Sequence, residues 1–87
     1  MVKVTAALFI EQNVKIAVVS VKYQSCLNEH DRKQTLNGVS RFFPDANTVI
    51  VWETPNRKKE FYGRQDIVNF LSRVHPSRLP WKEYSFA

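Results

Sequence analysis

The sequence predicts an α+β domain, a two-layer sandwich in which a sheet of four or five strands carries two helices on one face. Three observations indicate this fold class. The segment Thr48–Trp52 is a short run of β-branched and aromatic residues, which is typical of a buried strand. In Val2–Glu11, every second residue is apolar, which is the pattern of a strand with one buried face. Beyond Gly63, apolar residues recur with helical spacing at Ile67, Phe70, Leu71 and Val74.

The first two strands are predicted to form a hairpin. The alternating segment Val2–Glu11 is followed by polar residues ending in Asn13, which is consistent with a tight turn. The segment Val14–Tyr23 then has apolar residues on both sides, so it is expected to be a central strand. A single apolar helix over residues 4–21 is the rival interpretation. Because β-branched residues dominate the second half of that range, two strands are favoured.

The first helix is expected to begin at Asn28, whose side chain is suited to cap the free N–H groups of a first turn. It is expected to run to about Phe43, since Pro44 disfavours a helical conformation in the preceding residue. Gly38 in the middle of this helix costs about 1 kcal/mol relative to alanine. The buried stripe is formed by Leu36, Val39 and Phe43.

A second hairpin follows the strand Thr48–Trp52. Pro55 fixes φ and Asn56 tolerates unusual backbone angles, so residues 53–57 are interpreted as a turn. Lys59–Tyr62 then returns as the partner strand. Gly63 is expected to serve the turn into the second helix, where a positive φ is needed. The predicted element order is therefore ββαββα.

The C-terminal residues 76–87 are predicted to be an extended tail or an additional edge strand. The two prolines in residues 75–80 are expected to hold that segment extended rather than helical. Large aromatic side chains are rarely left fully exposed, so Trp81 or Phe86 is expected to dock onto the domain.

Length and composition predict one domain spanning residues 1–87. The single cysteine, Cys26, excludes an internal disulfide and fits a reducing compartment. The sequence contains neither an apolar run of about 20 residues, as a membrane span requires, nor the layout of a secretory signal. These features predict a cytoplasmic protein that does not contact a membrane. The net charge is +5, and residues 54–87 hold seven basic and three acidic residues, which favours an anionic partner.

Cys26 is the candidate nucleophile of the sequence. It precedes the first predicted helix, where the helix dipole can lower a thiol pKa, and His30 lies four residues on as a candidate base. No local signature accompanies the pair, so an inert thiol is favoured. Glu29 and Asp31 do not face one another on a helix. The spacings of zinc ligands, phosphate loops and nucleophile elbows are absent, so no metal, cofactor or enzymatic activity is predicted.

The densest positive group lies on the second hairpin, residues 57–64. Lysine and arginine contacts to phosphate supply affinity without reading sequence, and aromatic rings stack on unpaired bases. The candidate nucleic-acid contacts are Arg57, Lys58, Lys59, Arg64 and Tyr62, with Trp81 and Tyr84 as further stacking surfaces. The alternative is a solvated turn whose lysines discourage edge pairing.

A protein partner is the other candidate. If the first strand lies at a sheet edge, its unpaired backbone groups are available to a strand of another protein or of a second copy. The candidate contacts are Phe9, Trp81, Tyr84 and Phe86. A non-catalytic module that binds protein through the sheet edge and the aromatic tail is the favoured function. A nucleic-acid-binding domain is the alternative, and a thiol-dependent enzyme using Cys26 is third.

Overall fold

The computed structural model describes residues 2–86. Its strands are β1 (Val2–Glu11), β2 (Val14–Ser20), β3 (Asn47–Glu53), β4 (Lys59–Tyr62) and β5 (Trp81–Phe86), and its helices are α1 (Glu29–Ser40) and α2 (Gln65–Leu71). Short 3-10 turns occupy Tyr23–Cys26 and Pro76–Arg78. The predicted α+β class and the order of elements, with a fifth strand at the end, are confirmed. Within the described chain, neither helix has the length and apolar character needed to cross a bilayer.

The five strands form one mixed sheet in the order β4-β3-β2-β1-β5. The apolar strands β2 and β3 are adjacent and parallel, with Val18 paired with Val49, as expected for two central strands. The other neighbouring pairs are antiparallel. The protein contact considered for β1 required that strand to lie at an edge of the sheet, and it does not. Because Trp81–Phe86 pairs with the first half of β1, the edges of the sheet are β4 and β5.

The two helices cover opposite faces of the sheet. Leu36 and Val39 of α1 pack into the cluster that contains Ile50, whereas Ile67 and Leu71 of α2 belong to the cluster on the other side. The predicted placement of both helices on one face is therefore wrong, and the domain has three layers. The physical reason is that β2 and β3 are apolar on both sides, so each face needs a cover.

The β1–β2 turn confirms the predicted hairpin. Gln12 and Asn13 form a two-residue turn with φ angles of 50° and 67°, and positive angles at both positions match the twist of the flanking strands. In the β3–β4 turn the positive φ falls on Arg57, at 64°, instead of on the predicted Asn56. Two hydrogen bonds close that turn, from Thr54 N to Lys58 O and from Arg57 N to Thr54 O, both at 2.8 Å.

Helix α1 begins as predicted and ends earlier than predicted. The Asn28 side chain accepts a hydrogen bond from the backbone N–H of Asp31 at 2.9 Å, so it caps the first turn. The helix ends at Ser40. The N–H groups of Phe42 and Phe43 then bond to carbonyls three residues earlier, which tightens the chain before Pro44.

The C-terminal segment had been predicted to be either an extended tail or an edge strand, and it is an edge strand. Pro76–Arg78 forms a 3-10 turn, so the expectation of a wholly extended linker is wrong; proline is tolerated at the first position of a helical turn. Both aromatic residues that were expected to dock do so. The Trp81 indole donates to the Pro76 carbonyl at 2.8 Å, and the Phe86 ring stacks on Phe42 with centroids 4.5 Å apart.

Candidate binding surface at the carboxyl ends of the parallel strands

Helix α2 has seven residues and leaves part of its sheet face uncovered. Side chains two residues apart in a strand lie on the same face of the sheet. The other residues on the α2 face are therefore found by counting in steps of two from the residues that pack against α2. The uncovered part is polar and exposed, and we call it the open shelf: Lys3, Thr5, Ser20, Glu53, Lys59 and Glu83.

Two ion pairs cross the open shelf. Lys3 Nζ lies 4.0 Å from Glu83 Oε1, and Lys59 Nζ lies 3.5 Å from Glu53 Oε2. Both pairs are largely exposed, and exposed pairs contribute no more than about 1 kcal/mol. Neither lysine is therefore held tightly by its carboxylate partner.

A cavity of about 170 Å³ lies where the open shelf meets the Pro76–Arg78 turn. Thr5, Ser20 and Ser77 supply hydroxyl groups to its lining, Lys59 supplies an ammonium group and Trp81 an indole ring. The hydrogen bond from the indole N–H to Pro76 fixes the orientation of that ring. The structure thus places Lys59 and Trp81 in the lining of one cavity; the sequence had named Trp81 as a stacking surface for the basic hairpin and also as a protein contact.

A second cavity, of about 420 Å³, shares Trp52, Lys59 and Pro76 with the first and extends around β4 to Arg32 and Tyr62. Both cavities adjoin the carboxyl end of β3. In open α/β sheets, ligands bind in the crevice outside the carboxyl ends of the parallel strands. The position of the two cavities therefore marks this end of the sheet as the candidate binding surface.

A polar network closes the α1 side of the second cavity. The Tyr62 hydroxyl donates to Glu29 Oε1 at 2.8 Å, and Arg32 Nε donates to the Cys26 carbonyl at 3.2 Å. The Arg32 guanidinium lies 5.4 Å from the centroid of the Trp52 ring, within the range of a cation–π contact. Trp52 is 3% exposed, and its Nε1 finds no hydrogen-bond partner between residues 2 and 86. Tyr62 is therefore engaged with α1.

The hydrogen bond to Glu29 raises the pKa of Tyr62 above its ordinary value, and burial adds to the shift. A raised folded pKa means that the neutral phenol is stabilised on folding. The resulting stability is fully present below the unfolded pKa of about 10, and is lost as the pH rises through the folded pKa.

We expect Glu29→Gln to lower the pKa of Tyr62 toward the ordinary tyrosine value, because the amide removes the negative charge that opposes ionisation. An NMR titration of the Tyr62 ring in both proteins measures this change. Glu11→Gln, at the far end of β1, is the control and should leave the titration unchanged. Identical Tyr62 titrations in wild type and Glu29→Gln would contradict the assignment.

The five predicted nucleic-acid contacts do not form one group. Arg57 and Lys58 are exposed at the β3–β4 turn, and their side chains make no ion pair within the described residues. Lys59 is adjacent and contacts Glu53. Arg64 lies beyond the other end of β4, a strand of four residues that spans about 10 Å at 3.3 Å per residue, and its Nε lies 2.8 Å from Asp66 Oδ1. The basic group at the turn is therefore Arg57–Lys59.

The four predicted protein contacts are packed within the domain. Phe9 is half-buried on the α2 side of the sheet. On the α1 side, the rings of Tyr84 and Phe86 each lie 5.7 Å from the Phe43 ring in edge-to-face geometry. Trp81 is half-buried and lines the smaller cavity. Of the four, Trp81 is the residue that the structure places at the candidate surface.

The predicted thiol pair is not assembled. Cys26 is 1% exposed, and burial raises the pKa of its thiol, with Arg32 lowering it and Asp31 raising it by smaller amounts. No hydrogen bond joins Cys26 to His30 in the part of the chain that the structure describes, and neither residue lines the two cavities. Residues 2–86 contain no group of three metal-ligating side chains.

Sequence reasoning missed Thr5, Ser20 and Ser77, which line the smaller cavity. The available signal was weak: Thr5 and Ser20 are polar positions in otherwise apolar strands. No family model matches the chain, and neither the curated proteins nor the solved structures include one with significant similarity to it.

Proposed function

We propose that this protein is a non-catalytic module that binds single-stranded nucleic acid across the open shelf and the Arg57–Lys59 turn. The observation that carries the proposal is the cavity whose lining includes both Lys59 and Trp81. Single-strand binding surfaces combine cationic groups that follow the backbone with aromatic rings on which bases stack. Lys59 and Trp81 supply one of each in a single cavity.

The charge distribution supports a polyanionic ligand. The net charge is +5, and Arg57 and Lys58, next to Lys59, make no ion pair with any residue between 2 and 86. Phosphate contacts provide most of the affinity of sequence-independent binding, and the released counterions make that affinity salt-dependent. The weak ion pairs on the open shelf leave Lys3 and Lys59 available to the same ligand.

An unpaired strand fits this surface better than a duplex. Stacking on Trp81 requires a base whose face is free, which a base pair in a duplex does not offer. The hydroxyl groups of Thr5, Ser20 and Ser77 can donate to and accept from base edges or the sugar–phosphate backbone. The single buried cysteine fits a reducing compartment, so we place the module in the cytoplasm as part of this proposal.

We expect Arg57→Gln/Lys58→Gln to weaken binding of a fluorescent single-stranded oligonucleotide, because two phosphate contacts are lost. Fluorescence anisotropy at several salt concentrations measures the change. For single strands the slope of log affinity against log salt should become shallower by about 1.4, since each phosphate contact contributes about 0.7.

The control Lys15→Gln/Arg41→Gln removes the same charge at the opposite end of the parallel strands. Lys15 lies near the start of β2 and Arg41 follows the end of α1, and both are exposed. The control should keep the wild-type salt slope. Equal slopes for wild type and Arg57→Gln/Lys58→Gln would contradict the proposal, as would binding that does not respond to salt.

Strand β5 supports a second candidate function, the binding of a protein strand. It pairs with β1 on one side and forms an edge of the sheet, so its outward backbone groups have no strand partner within residues 2–86. Such an edge can accept a strand of another protein or of a second copy. Sedimentation at several protein concentrations distinguishes the candidates: a dimer indifferent to nucleic acid favours this one, and a monomer with salt-sensitive binding favours the first.

A further inference from the structure

A second basic surface lies on the segment between α2 and β5. A broad, open cavity of about 640 Å³ is lined by Arg73, Val74, His75, Ser77 and Arg78. The lining thus includes two arginines, a histidine and a serine, and no acidic residue among residues 2–86. We call this surface the arginine concavity. It is distinct from the cavity that contains Lys59 and Trp81, with which it shares Ser77 alone.

The backbone of the arginine concavity is held in place by hydrogen bonds. Arg78 N donates to the His75 carbonyl at 2.9 Å, and Leu79 N donates to the Pro76 carbonyl at 3.1 Å. The same Pro76 carbonyl accepts from the Trp81 indole, and Leu79 is buried in the core. A backbone that is already held in place needs little ordering when a ligand binds, which favours affinity.

The polar groups of the arginine concavity are predominantly donors. His75 Nδ1 accepts a hydrogen bond from Ser77 N at 3.3 Å and lies 2.7 Å from Ser77 Oγ. Because Nδ1 acts as an acceptor, the neutral ring carries its proton on Nε2, which is left to donate to a ligand.

Both guanidinium groups retain unpaired charge. The side chains of Arg73 and Arg78 make no ion pair in the structure of residues 2–86. Arg73 also borders a neighbouring cavity lined by Glu11 and Asp66, but Asp66 is already paired with Arg64 at 2.8 Å. A ligand with several negatively charged oxygens would therefore meet two free cations.

We propose that the arginine concavity binds a phosphate monoester. Guanidinium groups bond to phosphate oxygens through two parallel N–H donors, and such charge-assisted bonds are roughly twice as strong as neutral ones. A monoester presents three terminal oxygens, one for each of Arg73, Arg78 and His75. The group can belong to a free phosphate ester or to the terminal phosphate of a nucleic acid. The site does not depend on the function proposed above.

The test is an NMR titration of the amide spectrum with inorganic phosphate and with ribose 5-phosphate, at constant ionic strength. The largest shifts should fall on residues 73–79. Arg73→Gln/Arg78→Gln should weaken binding at least tenfold, because both arginines lose their charge-assisted hydrogen bonds to the phosphate. The control Lys15→Gln/Arg41→Gln removes the same charge elsewhere and should bind as wild type does. A dispersed amide spectrum verifies that each variant is folded.

Two oligonucleotides of one sequence, with and without a 5′-phosphate, identify the source of the phosphate. Preference for the phosphorylated strand, lost in Arg73→Gln/Arg78→Gln, supports the site with a nucleic-acid end as its ligand. Equal binding of the two strands, together with localised shifts from ribose 5-phosphate, supports the site with a free ester. Shifts spread over the whole surface, or equal affinity in wild type and double variant, overturn the proposal.

The oligonucleotide-binding surface and the phosphate site can be disproved independently of each other. Arg57→Gln/Lys58→Gln tests the oligonucleotide surface and should leave the phosphate titration unchanged. If that variant loses phosphate binding as well, the arginine concavity is not an independent site and the inference is overturned.

Discussion

Ile50→Ala is expected to lower the free energy of unfolding by about 2–5 kcal/mol, the range for removing a large buried aliphatic side chain. Ile50 is 0% exposed and belongs to the cluster between the sheet and α1. It lies in β3, whose neighbours are β2 and β4, so the surrounding atoms have little freedom to close a cavity. A loss of this size is a large part of the roughly 5–15 kcal/mol that stabilises a typical domain.

Ile10→Ala is the matched control, because it makes the same chemical change at a position that is 69% exposed. Its loss in free energy of unfolding should stay below about 1 kcal/mol, because only the preference of isoleucine over alanine in a strand is removed. Urea denaturation followed by tryptophan fluorescence measures both variants. Losses of equal size at the two positions would show that Ile50 is not in the core.

Gly63→Ala is expected to destabilise the domain as well. Here the cause is crowding by an added methyl group, whereas Ile50→Ala leaves a cavity. Gly63 has a φ of 157°, and a methyl group there would lie 2.9 Å from Val49 Cγ2 and 3.2 Å from the Thr48 carbonyl oxygen. The strained backbone costs about 1–3 kcal/mol and overpacking costs about 1–3 kcal/mol. The midpoint of thermal unfolding should fall by roughly 4–8 °C for each kcal/mol lost in a domain of this size.

Gly38→Ala is the control for this substitution and should have the opposite sign. Gly38 lies in the middle of α1, and a methyl group there meets nothing within 4 Å. Alanine should therefore stabilise the helix by about 1 kcal/mol. If Gly63→Ala raised the melting temperature as Gly38→Ala does, the close approach of the Gly63 backbone to β3 would be disproved.

The Gly63 contact also bears on the candidate binding surface. Gly63 follows β4, and the register that pairs Ile50 with Tyr62 brings it beside Val49. Crowding at this point would displace β4, which carries Lys59 into the cavity with Trp81. Gly63→Ala molecules that remain folded are therefore expected to bind oligonucleotide more weakly than wild type.

Part of the candidate surface could be predicted from the sequence. The basic turn could be recognised because Arg57, Lys58 and Lys59 are consecutive in the chain. Trp81 could be named as a stacking surface for the same hairpin, but the cavity that it lines with Lys59 could not be recognised, because Pro76 and Ser77 of the 3-10 turn complete its lining. Arg64 was grouped with the turn for its nearness in sequence, but the extended β4 separates them.

The strands and helices, and most of the positions at which they begin, could be predicted from the sequence alone. Asn13, Asn28 and Gly63 act within a few residues of themselves, so a turn, a helix cap and a strand-to-helix junction could be placed from local chemistry. The apolar character of β2 and β3 likewise made them neighbours in the interior. These features could be predicted because each depends on interactions between residues that are close along the chain.

The identity of the edge strands and the face that each helix covers could be learned only from the folded domain. The strand Trp81–Phe86 pairs with residues at the opposite end of the chain, and the alternation in β1 does not specify that partner. The apolar pattern of β3 shows that both faces are covered but does not assign a helix to either face. Those choices depend on packing between distant segments, and the cavity beside Trp81 exists only once they are made.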